Sequence, residues 1–281
     1  MMQLKTTSLL LWAMLCMTFA PSATAQTIDS TKTDVGQHPW NKKKIAYLGD
    51  SITDPRHKGA VKKYWSWIND WLDTEAYVYG VSGRQWNDIP RQTERLLAEH
   101  GQDIDAIIVF VGTNDFNHSV PIGEWWDETT ENVEAADKNG RTITTRKKRT
   151  PNTNDKTYRG RINIAIEKIK KAYPTKQIVL LTPLHRGYAT FSEQNIQPAE
   201  CYQNLSGEWI DSYVESVIEA GRIWSVPVID WNATSGLQPI IEEQRIYFKD
   251  SSTDQLHPND LGHRRLAQTL VYALRTIPCT F

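Results

Sequence analysis

Cysteine is scarce in this chain, with three residues among 281. None stands as Cys-x-x-Cys or within a Cys/His cluster, which excludes the usual structural zinc frameworks. No pair of histidines shows metal-ligand spacing either, so neither a catalytic metal nor another cofactor is expected. An excess of one charge is missing too: 32 basic residues face 33 acidic ones, a net −1. Nucleic-acid binders carry a basic excess, so no such partner is expected. Long apolar runs are nearly absent, and the one extended run, at 9–20, is too short for a comfortable membrane span. Internal repeats and Pro/Gly/Ser-rich linkers are missing as well, which argues for a single domain.

The one apolar run has the flanks of a leader. Lys5 precedes it and Ala23-Thr24-Ala25 follows as a small-x-small cleavage site, so residues 1–25 read as a secretory signal peptide. Export to the periplasm or the cell exterior is then expected, with residues 26–40 as an N-terminal arm. Cys201 and Cys279 remain in the mature chain, where an oxidising compartment would let them pair. Sequence does not decide whether their Cα atoms come close enough. Residues 41–281 suit one α/β domain.

Within that domain, short β-rich apolar runs at 45–48, 77–81, 106–111, 178–182 and 226–230 alternate with helical patterns at 60–72, 88–99, 158–172, 207–223 and 260–275. Val61, Trp65, Ile68 and Leu72 form one helical stripe, and Leu261, Leu266, Leu270 and Leu274 recur similarly in the last helix. Alternating β and α with continuously apolar strands predicts an α/β fold: a mostly parallel five-stranded sheet in a three-layer α/β/α sandwich. Residues 116–157 break the rhythm after the third strand. They hold Trp125-Trp126 and a polar stretch in which Asn139-Gly140 signals a type I′ hairpin. An insertion of that length beside a strand end reads as a lid or wall.

Chemistry concentrates where strands end. The first strand runs into Gly49-Asp50-Ser51, the second into a segment with Gly83, the third into Gly112-Thr113-Asn114-Asp115, and Asp254 precedes His257 by three residues near the C-terminus. Carboxyl ends of neighbouring strands converge on one crevice in such sheets. A serine there needs a base to be nucleophilic. Histidine titrates in the right range for that, and an aspartate can orient it and stabilise its charged form. The Ser51 and Gly83 backbone N–H groups and the Asn114 amide would be the oxyanion donors. Asp50 reads as a turn-fixing residue.

These four blocks together resemble the SGNH (GDSL) hydrolase family, over residues 44–275. The resemblance implies a flavodoxin-like α/β/α sandwich and a serine esterase whose nucleophile is Ser51, whose catalytic pair is Asp254 and His257, and whose oxyanion donors are Ser51, Gly83 and Asn114. His185 and Arg186 follow the fourth strand and should reach the crevice rim, where Arg186 is either a carboxylate holder or a solvated loop residue. His57 and His118 read as surface residues. Trp86, Trp125, Trp126 and Trp231 lead from strand ends toward ligand contact, with Trp125 and Trp126 on the wall. The insertion, with Arg146-Lys147-Lys148-Arg149, offers little apolar area for an acyl tail. The expected substrate is therefore an esterified small molecule, above all an acetylated oligosaccharide. A lysophospholipase or thioesterase, an acyltransferase on the same triad, and a non-catalytic carbohydrate-binding protein are the alternatives.

Overall fold

A computed structural model describes residues 38–281. The expected leader, 1–25, and the arm up to residue 37 lie outside the described residues. In chain order the elements are β1 (Lys44–Gly49), α1 (Tyr64–Leu72), β2 (Glu75–Val78), α2 (Ile89–His100), β3 (Ala106–Phe110), α3 (Thr113–Asn117), β4 (Trp126–Asp137), β5 (Gly140–Pro151) and α4 (Tyr158–Ala172). There follow β6 (Gln177–Leu181), β7 (Ala189–Ser192), β8 (Asn195–Gln197), α5 (Ile210–Trp224), β9 (Val228–Ile229), α6 (Trp231–Thr234), β10 (Phe248–Asp250), β11 (Asp254–Pro258) and α7 (Asp260–Leu274).

Five parallel strands make the central sheet, in the order β2-β1-β3-β6-β9. The strand alternation sorts the core into two layers. Ala46, Leu48, Ile107, Val109 and Leu180 pack on one face with Leu96 of α2, Ile162 and Ile166 of α4 and Val217 of α5. Ile45, Tyr47, Ile108, Phe110 and Val179 pack on the other with Ile68 of α1 and Leu266 and Leu270 of α7. Helices thus cover both faces, as near-continuous apolar strands require, and each fully buried Leu, Ile or Val contributes about 1.5–3 kcal/mol. The three-layer α/β/α sandwich is the observed fold. Among the described residues no helix is long and apolar enough to cross a membrane.

Several local expectations need correction. The first helix starts at Tyr64, so Val61 is 97 % exposed and the buried stripe is Tyr64, Ile68 and Leu72. Residues before Tyr64 instead run as turns beside the catalytic segment, with Lys63 buried at the helix start. Trp86 and Trp231 are core residues: the Trp86 indole donates to the Tyr158 hydroxyl (3.1 Å), and Trp231 packs edge-on against Tyr64 and Phe110. Cys201 and Cys279 are both free.

The insertion does form a hairpin, β4 pairing with β5 from Trp126↔Pro151 to Asp137↔Gly140. Its turn is not type I′, which needs positive φ at both central residues. Only Gly140, after Lys138 and Asn139, has one (φ +110°). β4 bears acids and no bases, β5 bases and no acids, and they pair across the ribbon: Lys147 with Glu128 (3.0 Å), Lys148 with Glu131 (2.9 Å). A second, antiparallel sheet, β10-β11-β7-β8, lies beyond any sequence expectation. It carries Asp254 and His257.

Candidate active site

The nucleophile candidate stands on a turn that glycine makes possible. At Gly49 a side chain would collide with the Phe110 carbonyl of the neighbouring strand, so β1 and β3 approach closely there. The buried Gln92 amide brackets the same residue, accepting from Gly49 N–H (2.8 Å) and donating to its carbonyl (2.9 Å). Asp50 fixes the next step by accepting from Ile52 N–H (3.0 Å). Burial pushes the Asp50 carboxyl up to about 7, against that hydrogen bond.

Ser51, His257 and Asp254 are brought together although up to 206 positions separate them in the chain. His257 Nε2 lies 2.9 Å from Ser51 Oγ, and Nδ1 lies 3.0 Å from both Asp254 oxygens. Asp254 and His257 share a strand, β11, and the carboxylate curls back to accept from His257 N–H as well (3.1 Å). Lys249 Nζ reaches it from β10 at 3.3 Å. Burial raises the Asp254 carboxyl, but the His257 hydrogen bonds and charge, with Lys249, outweigh it and hold it below its ordinary value. A serine, a neighbouring base and an oriented acid within hydrogen-bond reach can form and break an acyl-enzyme bond.

Gly83 and Asn114 line the same crevice as Ser51 and His257. Gly83 adopts φ +75°, a conformation that favours glycine. The Asn114 amide donates to the Arg84 carbonyl (3.0 Å) and makes a long contact to Asp50 Oδ2 (3.5 Å). Two carboxylates that sequence reading left without a role hold these loops. Asp54 accepts from Ser82 N–H (2.9 Å) and hydroxyl (3.0 Å), tying the Ser51 turn to the Gly83 loop. Asp115, fully buried, accepts from Trp86 N–H (3.1 Å) and from Arg161 of α4 (3.0 Å). Burial pushes Asp115 up to about 6 in spite of both donors.

Other expected contacts fall elsewhere. Trp125 is buried in the core against α4 and α5, its indole donating to Glu219 (2.7 Å) under the Arg159 guanidinium. Trp126 is half-buried against the same cluster. Neither lines the crevice, because the ribbon they begin is anchored on α4 and α5. Arg186 is 1 % exposed, so it neither holds a substrate carboxylate nor meets solvent. Its guanidinium donates to Thr113 (3.2 Å to the hydroxyl) and to Gln197 (2.8 Å) behind the crevice wall. His185 is held by Glu200 (2.7 Å), which also accepts from Arg186 N–H (2.8 Å). His118, exposed, and His57 do line the crevice.

The crevice itself measures about 730 Å³. From the insertion only 116–119 contribute; most of the rest of its wall is Phe191, Gln194–Pro198 and Tyr202–Leu205, from the β7–β8 hairpin and the loop after it, with Ser82 and Leu256. Those strands are three or four residues long, too short to show a period, and no sequence signal marked them.

His57 packs against His257 with ring centroids 4.0 Å apart and planes tilted by 30°. Burial first, then the His257 charge, lower its pKa from 6.5 to about 4. The unfolded chain therefore takes up this proton before the folded one, and the His57 contribution to stability is lost as pH falls from 6.5 towards 4. His57→Phe, which keeps an aromatic ring against His257, is expected to flatten the fall of Tm over that interval. Parallel Tm–pH curves for the two proteins would refute the assignment.

Comparison with known proteins bears on this site. A family model described as GDSL-like lipase/acylhydrolase matches residues 47–265, most of the chain. A search of curated protein sequences finds no match. Among solved structures, a protein from Lactobacillus plantarum superposes with TM-score 0.63 at 22% identity, covering 83% of this chain and 97% of that one. One described as a possible lipase from Chitinophaga pinensis gives TM-score 0.61 at 20% identity over 83% and 98%. An acetyl xylan esterase from Geobacillus stearothermophilus gives TM-score 0.50 at 17% identity over 83% and 95%. At these identities the likeness is one of fold.

Proposed function

Because this chain belongs to the GDSL-like lipase/acylhydrolase family, and is therefore a carboxylic ester hydrolase, we propose that it is an exported serine esterase removing O-acetyl groups from a carbohydrate. The observation that carries the reading is the Ser51–His257–Asp254 line, 2.9 Å and 3.0 Å between its members, opening on a crevice rich in amide side chains. Ser51 Oγ attacks the ester carbonyl while His257 Nε2 takes its proton. The oxyanion is met by the Ser51 and Gly83 N–H groups and by the Asn114 amide, which lines the same crevice. Collapse of the tetrahedral intermediate breaks the ester C–O bond, and His257 returns the proton to the departing alcohol. Water, deprotonated by His257, then attacks the acyl-enzyme; acetate leaves and Ser51 regains its proton. One protein of this fold is an acetyl xylan esterase; for this chain the same substrate class rests on the polar wall of its own crevice. Export rests on the leader composition of residues 1–25.

Acyl-chain preference tests the reading. On p-nitrophenyl esters kcat/KM is expected to fall at least about tenfold from acetate to octanoate, and acetate should be released from an acetylated oligosaccharide. Faster cleavage of octanoate would overturn it in favour of a lipid substrate.

A further inference from the structure

The wall beside the catalytic histidine has an unusual composition. Among the described residues, no Asp, Glu, Lys or Arg lines the crevice. Amide side chains, among them Gln194, Asn195 and Gln203, occupy one flank, and the exposed rings of Phe191 and Tyr202 stand with them. Glu193, exposed at the hairpin tip, lies outside the crevice lining, and the charged groups beneath the wall are withdrawn from it. Arg186 lies buried behind the wall, gripping Gln197 (2.8 Å), while Glu200 turns inward onto Arg186 N–H and His185. Gln197 in turn donates to Asn195 (3.0 Å) and Gln203 to the Gly207 carbonyl (2.7 Å). The wall is thus fixed from below and neutral on its face.

Its place relative to the reaction assigns it a part of the substrate. His257 returns the proton to the leaving oxygen, so a side chain that both lies against the His257 ring and lines the crevice borders the leaving alcohol. Phe191 stands edge-on to that ring, centroids 5.4 Å apart. An ionic alcohol brought here would lose water and find no opposite charge, which is costly. A hydroxylated ring would find amides that both donate and accept, with aromatic faces to lie on.

We propose that the hairpin-and-loop wall of Phe191, Gln194, Asn195, Tyr202 and Gln203 is a leaving-group subsite that selects uncharged, hydroxyl-bearing alcohols. This rests on the esterase reading above and adds to it the neutrality of the alcohol and the residues that enforce it.

Three aryl acetates of similar shape test it with the full mature chain: para-hydroxymethylphenyl, para-carboxyphenyl and para-trimethylammoniophenyl acetate. The neutral ester is expected to exceed each charged one at least about tenfold in kcat/KM, after correction for leaving-group pKa with free imidazole as the reference catalyst. Gln194→Lys should raise the carboxylate-to-neutral ratio about fivefold or more. Phe191→Ala and Tyr202→Ala should each lower kcat/KM for a monoacetylated methyl xyloside, whose other hydroxyls are free, about tenfold relative to p-nitrophenyl acetate, chiefly through KM. Charged esters cleaved within about twofold of the neutral one, or ratios unmoved by all three variants, would overturn the subsite. Acyl-chain preference reports separately: octanoate preferred with neutral selectivity retained would sink the acetyl reading and leave the subsite, and acetate preferred without neutral selectivity would do the reverse.

Discussion

Ser51→Ala is expected to lower kcat for p-nitrophenyl acetate by roughly 10⁴- to 10⁶-fold, and His257→Ala by a similar factor. The two side chains act as one unit: Ser51 Oγ is 2.9 Å from the only ring nitrogen of His257 not facing Asp254. Removing either leaves the other with no proton to exchange, so the double variant should be no worse than each single one. Asp254→Ala is expected to cost about tenfold to a hundredfold less. Without its carboxylate, His257 keeps its place on β11 but loses the partner that fixes its tautomer and steadies its charge. Folding should survive Ser51→Ala, which deletes one oxygen, and circular dichroism with a Tm measurement checks that. A folded Ser51→Ala protein with near-native turnover would remove Ser51 from the reaction altogether.

Asp115→Ala is expected to cost about 3–5 kcal/mol of stability, the usual result of breaking a buried ion pair by deleting one member. Asp115 is 0 % exposed, and its two oxygens satisfy the Trp86 N–H and the Arg161 guanidinium. Alanine would take the acceptor from the Trp86 N–H and leave Arg161, which still donates to Gln85 (3.2 Å) and to the Asp155 carbonyl (2.6 Å), as a largely buried charge without its counter-ion. In a domain of this size that corresponds to about 6–20 °C in Tm. Activity should fall as well, because Asp115 joins the loop of Asn114 to the segment that follows Gly83. Asp115→Asn, which keeps one acceptor, should lie between wild type and alanine. A thermal scan of the three proteins decides, and an unchanged Tm for Asp115→Ala would show that the pair contributes nothing net.

Much of this site was legible in the sequence for a physical reason. Strands of a parallel sheet are buried on both faces, so 45–48, 106–111 and 178–182 read as continuous apolar runs. The residues that follow their carboxyl ends then had to share one crevice, which is how Ser51, Gly83 and Asn114 could be grouped before any geometry. What failed to show has equally physical causes. β7, β8 and β10 are three or four residues long and partly polar, so neither period nor composition distinguishes them from loops. Arg186 read as either a carboxylate holder at the rim or a solvated loop residue, because arginine is mostly exposed; its burial depends on Glu200, Thr113 and Gln197, partners that only the fold assembles. Trp125 and Trp126 follow a strand end, as ligand-contacting residues do, but α4 and α5 turn them inward.

The separation of the crevice wall into a charged root and a neutral face bears on how such an enzyme changes over generations. Arg186 and Glu200 hold the hairpin through Gln197 and the backbone rather than through its exposed amides. Gln194, Asn195 and Gln203 are exposed, and exposed positions generally tolerate replacement within about 0.5 kcal/mol. Drift at Gln194, which holds no other part of the wall, is therefore nearly invisible to folding while, on the proposal above, it changes which alcohol is accepted. If this wall is the leaving-group subsite proposed above, a lineage carrying it can move from one alcohol to another by single steps, its innovation insulated from its stability.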